Sequence, residues 1–173
     1  MVTSMADGDS HNLGRFVEAQ DRPATCRNCA NMSEFECASH ELTHHAKTCH
    51  WIWFIFPQID GLGDSAMSKD FAIRTLDEAR AYASHRLLRD RYIRVVELVR
   101  ESLRSGMRPT KLMGSTTDVR KLASSLTLFR EVGSLQGDED LFAVSGDCLQ
   151  LLEAKCTKAC DMTLAWIRNQ HHD

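Results

Sequence analysis

The sequence predicts a mainly α-helical, single compact multi-helix domain, and three observations predict it. Leu88, Tyr92, Val95, Val96, Val99 and Leu103 recur at intervals of three and four, which places them on one face of a helix. Ser33 with Glu36, and Thr75 with Glu78, have the spacing of the capping box that starts a helix. The apolar run His50-Trp51-Ile52-Trp53-Phe54-Ile55-Phe56-Pro57-Gln58 has β-type composition, but no second such run exists to pair with it. Helix is therefore the expectation there too, buried on every side.

The other elements follow in order. Leu13, Phe16, Val17 and Gln20 have helical spacing and are stopped before Pro23, whose ring disfavours helix in the preceding residue. A helix is expected from about Glu34 to His45. Gly61-Leu62-Gly63-Asp64-Ser65 reads as a loop, Ser68 to Ile73 as one turn, and Thr75 to Ser84 as a short helix. The Leu88 helix ends at Ser105-Gly106. Thr116, Thr117 or Asp118 caps a helix that buries Val119, Leu122, Leu126 and Phe129 and closes near Gly133. Asp138 to Glu153 puts Leu141, Val144, Cys148 and Leu152 on one side, and Asp161 caps a closing helix through Trp166.

A chain of 173 residues is long enough to bury one core, and its 43% hydrophobic and 26% charged residues match an ordinary globular protein. Residues 1–12 read as a flexible leader and 13–170 as the helical domain, with a Cys/His-rich insertion near 25–49. No apolar stretch approaches the roughly 20 residues of a membrane span. A net charge of -3 disfavours a nucleic-acid partner. The arginines from Arg86 to Arg108 read as a solvated helix face, with Asp90 and Arg94, and Glu101 and Arg104, at pairing distance. Seven cysteines, an odd number without a secretory signal, predict reduced thiols and a cytoplasmic location.

Four groups of words carry a family resemblance: Phe16-Val17-Glu18-Ala19-Gln20; His50 through Gln58 with Gly61-Leu62-Gly63 and Ser65; Ser68 through Ile73 with Glu78-Ala79-Arg80-Ala81-Tyr82 and His85; and Asp118, Lys121-Leu122, Ser124-Ser125 and Thr127-Leu128-Phe129. In this order they resemble the domain-of-unknown-function family 1810 over roughly Leu13 to Phe142. The resemblance implies a mainly helical fold and a site, and no reaction. Two departures stand out. The family's Gly-Arg-Lys step before the His-Trp pair reads His45-Ala46-Lys47 here, and the stretch from Thr25 to His40 is expanded.

The polar residues set in these apolar words are the candidate site, because such groups need partners when buried or contacts when they line a pocket. Lys121 would bind an anion, Ser124, Ser125 and Thr127 would donate hydrogen bonds, Trp53 would stack on a planar ring, Gln58 would border the site, and His50 or Asp118 would carry protons. The expected ligand is nucleotide-like or phosphorylated, with hydrolytic turnover. The same residues also fit a structural reading in which Lys121 and Asp118 are solvated, the serines bond back to their own helix and the tryptophans are core. The chain would then be a protein-interaction module. A third reading is a zinc-stabilised adaptor: Cys26-x-x-Cys29 has structural-zinc spacing, and Cys37 with His40 would complete a tetrahedron. Cys156 and Cys160, beside Lys155 and Lys158, are a weaker candidate for a reactive thiol pair.

Overall fold

The computed structural model describes residues 10–155 and 157–170, and among them the regular structure is ten α-helices and one 3-10 turn. The chain runs α1 (Gly14–Asp21), the 3-10 turn Arg27–Cys29, α2 (Glu34–Thr43), α3 (Ile52–Ile55), α4 (Ala66–Asp70), α5 (Leu76–Ser84), α6 (Arg86–Arg104), α7 (Pro109–Met113), α8 (Thr116–Gln136), α9 (Glu139–Glu153) and α10 (Asp161–Gln170). The expected leader falls mostly on residues 1–9, outside the described residues. Two isolated β-bridges, Pro23 with Ser33 and Ile59 with Ile73, pin loops without making a sheet. No helix is long and apolar enough to cross a membrane.

Local chemistry explains most boundaries. Ser33 and Glu36 form the complete reciprocal capping box of α2. At α5 the box is half made: Thr75 accepts from the Glu78 N–H, but the Glu78 carboxylate turns to the Arg15 guanidinium and the Arg74 N–H. Arg15 also donates to the Asp70 and Ala72 carbonyls, so this buried glutamate ties α1 to the loop before α5. Besides Asp90, which meets Arg86 and Arg89 within the helix, the charge partners of α6 likewise come from distant elements. Arg89 grips Asp138 with two bonds of 2.6 and 2.7 Å, Arg91 meets Asp21 at 2.6 Å, and Arg100 and Arg104 share Asp147. The expected within-helix pairs are not the ones that form.

Four expectations change. The His50 to Gln58 word is helical for one turn only, because Phe56 precedes Pro57 and takes an extended φ of -120°. α7 was not expected. Its proline sits where its missing N–H costs nothing, and Gly114 at φ +79° ends it. Ser115 caps α8, accepting from the Asp118 N–H, so the helix starts at Thr116. α8 also continues past Gly133 to Gln136.

The continuation depends on Gly133 lacking a side chain. A Cβ there would lie 2.7 Å from the Phe142 backbone nitrogen, so the glycine lets α8 and α9 approach at the turn between them. The core runs from Leu13 to Ile167 as one cluster. Its centre is aromatic: Phe129 lies 4.5 Å from the Tyr92 ring and 5.0 Å from Tyr82, and Tyr82 meets Phe16 edge-on at 5.1 Å.

Gly133→Ala is expected to destabilise the protein by about 1–3 kcal/mol through overpacking, despite the better helix propensity of alanine. Urea denaturation measures it. A variant as stable as the parent would show that α8 and α9 can separate without cost.

Candidate functional site

The first two turns of α8 meet the His-Trp-Ile-Trp word. Ser115 fixes where the helix begins, and this places Asp118 and Lys121 one turn apart on the side facing α3. The Lys121 ammonium lies 4.2 Å from the centroid of the Trp53 ring and 3.1 Å from Asp118 Oδ1. The other oxygen of Asp118 takes the Lys47 ammonium at 2.6 Å, and Lys47 in turn lies 5.0 Å from the Trp51 centroid. One carboxylate is thus held between two lysines, and each lysine rests on one of the two tryptophans.

Burial pushes the Asp118 carboxyl upward. The hydrogen bonds and charges of Lys47, then of Lys121, outweigh that effect and hold it below its ordinary value. Asp118 is therefore a fixed anion at neutral pH.

Beside this array lie two adjoining hollows that share Gln58, Leu62 and Lys121. The smaller is a narrow cleft bordered by Trp53, Ser68 and Phe71. The larger, about 460 Å³, extends between α8 and the start of α10, past Arg120, Ser124, Lys158 and Met162. Lys121, Arg120 and Lys158 all border it, and no carboxylate does among the described residues. Its size is in the range of small-molecule sites.

The structure thus places Gln58 and Lys121 on both hollows, Trp53 on the smaller and Ser124 on the larger. His50 is exposed and borders neither hollow. Ser125 is fully buried and shares a hydrogen bond with Tyr92, 3.2 Å away. The Thr127 hydroxyl donates to the Ala123 carbonyl and accepts from the Cys160 N–H. Ser124 stands at the border, already bonded to Thr163 at 2.9 Å. Sequence reasoning passed over Arg120, which carries no local signal beyond its charge. It noted Lys158 only as a neighbour of the Cys156 and Cys160 pair and Lys47 only as part of the His45-Ala46-Lys47 step, and assigned neither to this site.

A model of the family described as protein of unknown function (DUF1810) matches residues 10–145. The chain belongs to the DUF1810 family. Its fold is also that of a solved structure: the crystal structure of the conserved hypothetical protein Rv1873 from Mycobacterium tuberculosis has a TM-score of 0.71 and 30% sequence identity, covering 92% of this chain and 99% of that one. No curated protein matches the chain.

The two departures from the DUF1810 pattern now have a physical reading. His45, the first residue of the step that departs from the expected pattern, adopts a left-handed φ of +59° that glycine adopts freely. Its ring Nδ1 compensates by pairing with the Ser102 hydroxyl at 2.8 Å. The expanded stretch folds as the 3-10 turn and α2 around sulfur. Cys26, Cys29, Cys37 and Cys49 bring their sulfurs, with a Glu41 oxygen, within 4.8 Å of one another, a set able to hold a metal ion. In the structure these sulfurs are paired as Cys26–Cys49 and Cys29–Cys37, where reduced thiols were expected. His40, assigned to this set from sequence, stacks instead on the His44 ring at 4.1 Å, and Cys49 takes its place.

Two further cysteines are free. Burial pushes the Cys148 thiol up to about 12, which keeps it protonated and inert at neutral pH. Cys160 borders the larger hollow, and its suggested partner Cys156 lies outside the described residues.

Because the folded Asp118 carboxyl is depressed, its contribution to stability is complete above its ordinary value of 3.8 and disappears as pH falls through the lower folded value. Asp118→Asn is expected to cost about 1–3 kcal/mol at neutral pH, between exposed and buried ion-pair values. The gap between variant and parent should close toward pH 3, as followed by urea denaturation across pH. A gap unchanged with pH would contradict the ion-pair account.

Proposed function

We propose that the larger hollow binds a small anionic ligand, nucleotide-like or otherwise phosphorylated, at the end of α8. The observation that carries this reading is a lining with three cations, Lys121, Arg120 and Lys158, and no carboxylate among the described residues that border it; Asp118, which pairs with Lys121 from outside the lining, is shared with Lys47. Positive charge gathered in a concave, partly desolvated site attracts an anion more strongly than the same charge on an open face. Gln58 and Ser124 supply polar atoms at the border, and Leu62, Ala123 and Met162 offer apolar surface to the rest of the ligand.

In this reading the residues take different tasks from those expected. Trp53 carries Lys121 on its ring, so it positions the cation before it serves any ligand. Asp118 and Lys47 set the charge and direction of Lys121. Turnover draws less support than binding, since His50 lies apart and Asp118 is pinned as a carboxylate. The zinc role read from the sequence belongs, in this proposal, to the sulfur cluster, as an ion bracing the insertion rather than acting on the ligand.

Thermal-shift measurements with inorganic phosphate, nucleoside phosphates and sugar phosphates test the reading. At least one is expected to raise the unfolding temperature, and Lys121→Ala and Lys158→Ala to weaken it about tenfold each, about 1.4 kcal/mol, in the range of one charge-assisted hydrogen bond. Lys158→Ala removes an exposed side chain, so its effect is separable from misfolding. The proposal fails if no anion stabilises the protein, or if both variants bind like the parent.

A further inference from the structure

We propose that Cys26, Cys29, Cys37 and Cys49 are the four ligands of one structural zinc ion. This rests on the zinc reading given above and fixes its ligand set; it is independent of the anion hollow.

The local chain builds the site from three separate pieces. The 3-10 turn Arg27–Cys29 closes with the Cys29 N–H donating to the Cys26 carbonyl at 3.2 Å, which folds the Cys-x-x-Cys pair back on itself. Such a turn brings both sulfurs to the same side, the usual half of a structural zinc site. Cys37 comes from the first turns of α2, whose start is fixed by the Ser33 and Glu36 box. Cys49 comes from the strand of chain that enters the tryptophan word.

The distances suit a metal. Cys26 and Cys37, which belong to different sulfur pairs, already lie 3.3 Å apart, and all four sulfurs fall within 4.8 Å. Four sulfurs at about 2.3 Å from a zinc ion stand about 3.8 Å from one another, so once a thiol reductant has cleaved the Cys26–Cys49 and Cys29–Cys37 bonds, small side-chain rotations centre an ion among the four thiolates. A donor set of sulfur alone selects zinc, or iron in a cluster, over the harder cations.

Burial points the same way. Cys29 and Cys37 are completely buried and Cys49 nearly so, and all three belong to the hydrophobic core. Between Ala24 and Cys49 the buried apolar residues are otherwise only Ala38 and Leu42 among the described residues. A segment with so little apolar surface to bury needs another source of order; the two disulfides supply it when the sulfurs are oxidised, and metal ligation would supply it when they are reduced.

Glu41 stays outside the ligand set because its oxygens are engaged. They accept from the Thr48 hydroxyl, the Cys49 N–H at 3.2 Å and Trp51 Nε1 at 2.8 Å. It is a positioning residue that holds the Cys49 backbone over the cluster.

The chemistry balances without an external oxidant. Four thiols and one zinc ion give the tetrathiolate and four protons, whereas the two sulfur–sulfur bonds require the loss of four electrons. Reduced protein therefore has the zinc site open to it directly.

The test uses the full-length, untagged chain purified in a thiol reductant, with metal measured by mass spectrometry. About one zinc per chain is expected. Cys29→Ser, Cys37→Ser and Cys49→Ser should each lose most of it, while His40→Ala and Glu41→Gln keep it. Should a serine variant fail to fold, cobalt reconstitution of the parent gives the answer, since four thiolates produce an intense sulfur-to-cobalt charge-transfer band. Iron in place of zinc, absence of metal, or zinc that survives Cys49→Ser but not His40→Ala would each overturn the assignment. Anion stabilisation measured on the same samples reports on the hollow separately, so either reading can fail without the other.

Discussion

From Leu122 to Phe129 every residue of α8 is buried. A helix enclosed on all sides has no face to give to water, so each hydroxyl along it must find a partner inside the protein or cost about 1–3 kcal/mol. Ser124 turns to Thr163 on α10, Ser125 to Tyr92 on α6, and Thr127 to its own helix and the residue before α10. These bonds specify how α6 and α10 seat against α8, which apolar contacts alone do less sharply. They also confine the exposed chemistry of the helix to its ends, and at the amino-terminal end Asp118 and Lys121 emerge beside the tryptophan word.

The same enclosure explains what the sequence could and could not reveal. Period and caps located α6, α9 and the start of α2, because those helices have one dry face and one wet face; α2 ends at Thr43, two residues before the expected His45. On α8 a helical wheel groups Asp118, Lys121 and Ser125 as one polar side, a sound inference for a surface helix. Here Ser125 is as buried as Leu122, and only the first two of the three reach the rim. The word from Trp51 to Pro57 resisted for the opposite reason. Apolar in every direction, it has no period to read, and the proline at its end allows a single helical turn. Convergence of Trp53, Gln58 and Lys121 was legible from words separated by some sixty residues, but the arginine partners on α6 were not, since Asp21, Asp138 and Asp147 are distant in sequence and charge alone does not say which carboxylate meets which cation.

Two tryptophans two positions apart on a helical turn would ordinarily point to different surroundings. The short α3 turn lets both serve a single electrostatic unit, Trp51 under Lys47 and Trp53 under Lys121, with Asp118 between the two cations. Two positive charges and one negative leave a net positive unit against low-dielectric rings. Such a unit is stable only while the carboxylate is ionised, so Asp118 organises the site rather than reacting in it.

The insertion and the hollow meet at the segment from His45 to Cys49. Its backbone is clamped first: the Lys47 N–H donates to the Leu112 carbonyl at 3.0 Å, and Gly114 lies so close to the Lys47 carbonyl that a Cβ there would stand 2.9 Å from it. Three successive side chains then go to three places, Lys47 to Asp118, Thr48 to Glu41, and Cys49 into the sulfur cluster. His45, which starts this segment, holds a left-handed φ of +59° that glycine adopts more freely, and its ring is tied to the Ser102 hydroxyl. Whatever orders the sulfurs of the insertion therefore also fixes, two residues away, the lysine that neutralises Asp118 and so leaves the charge of Lys121 to the hollow.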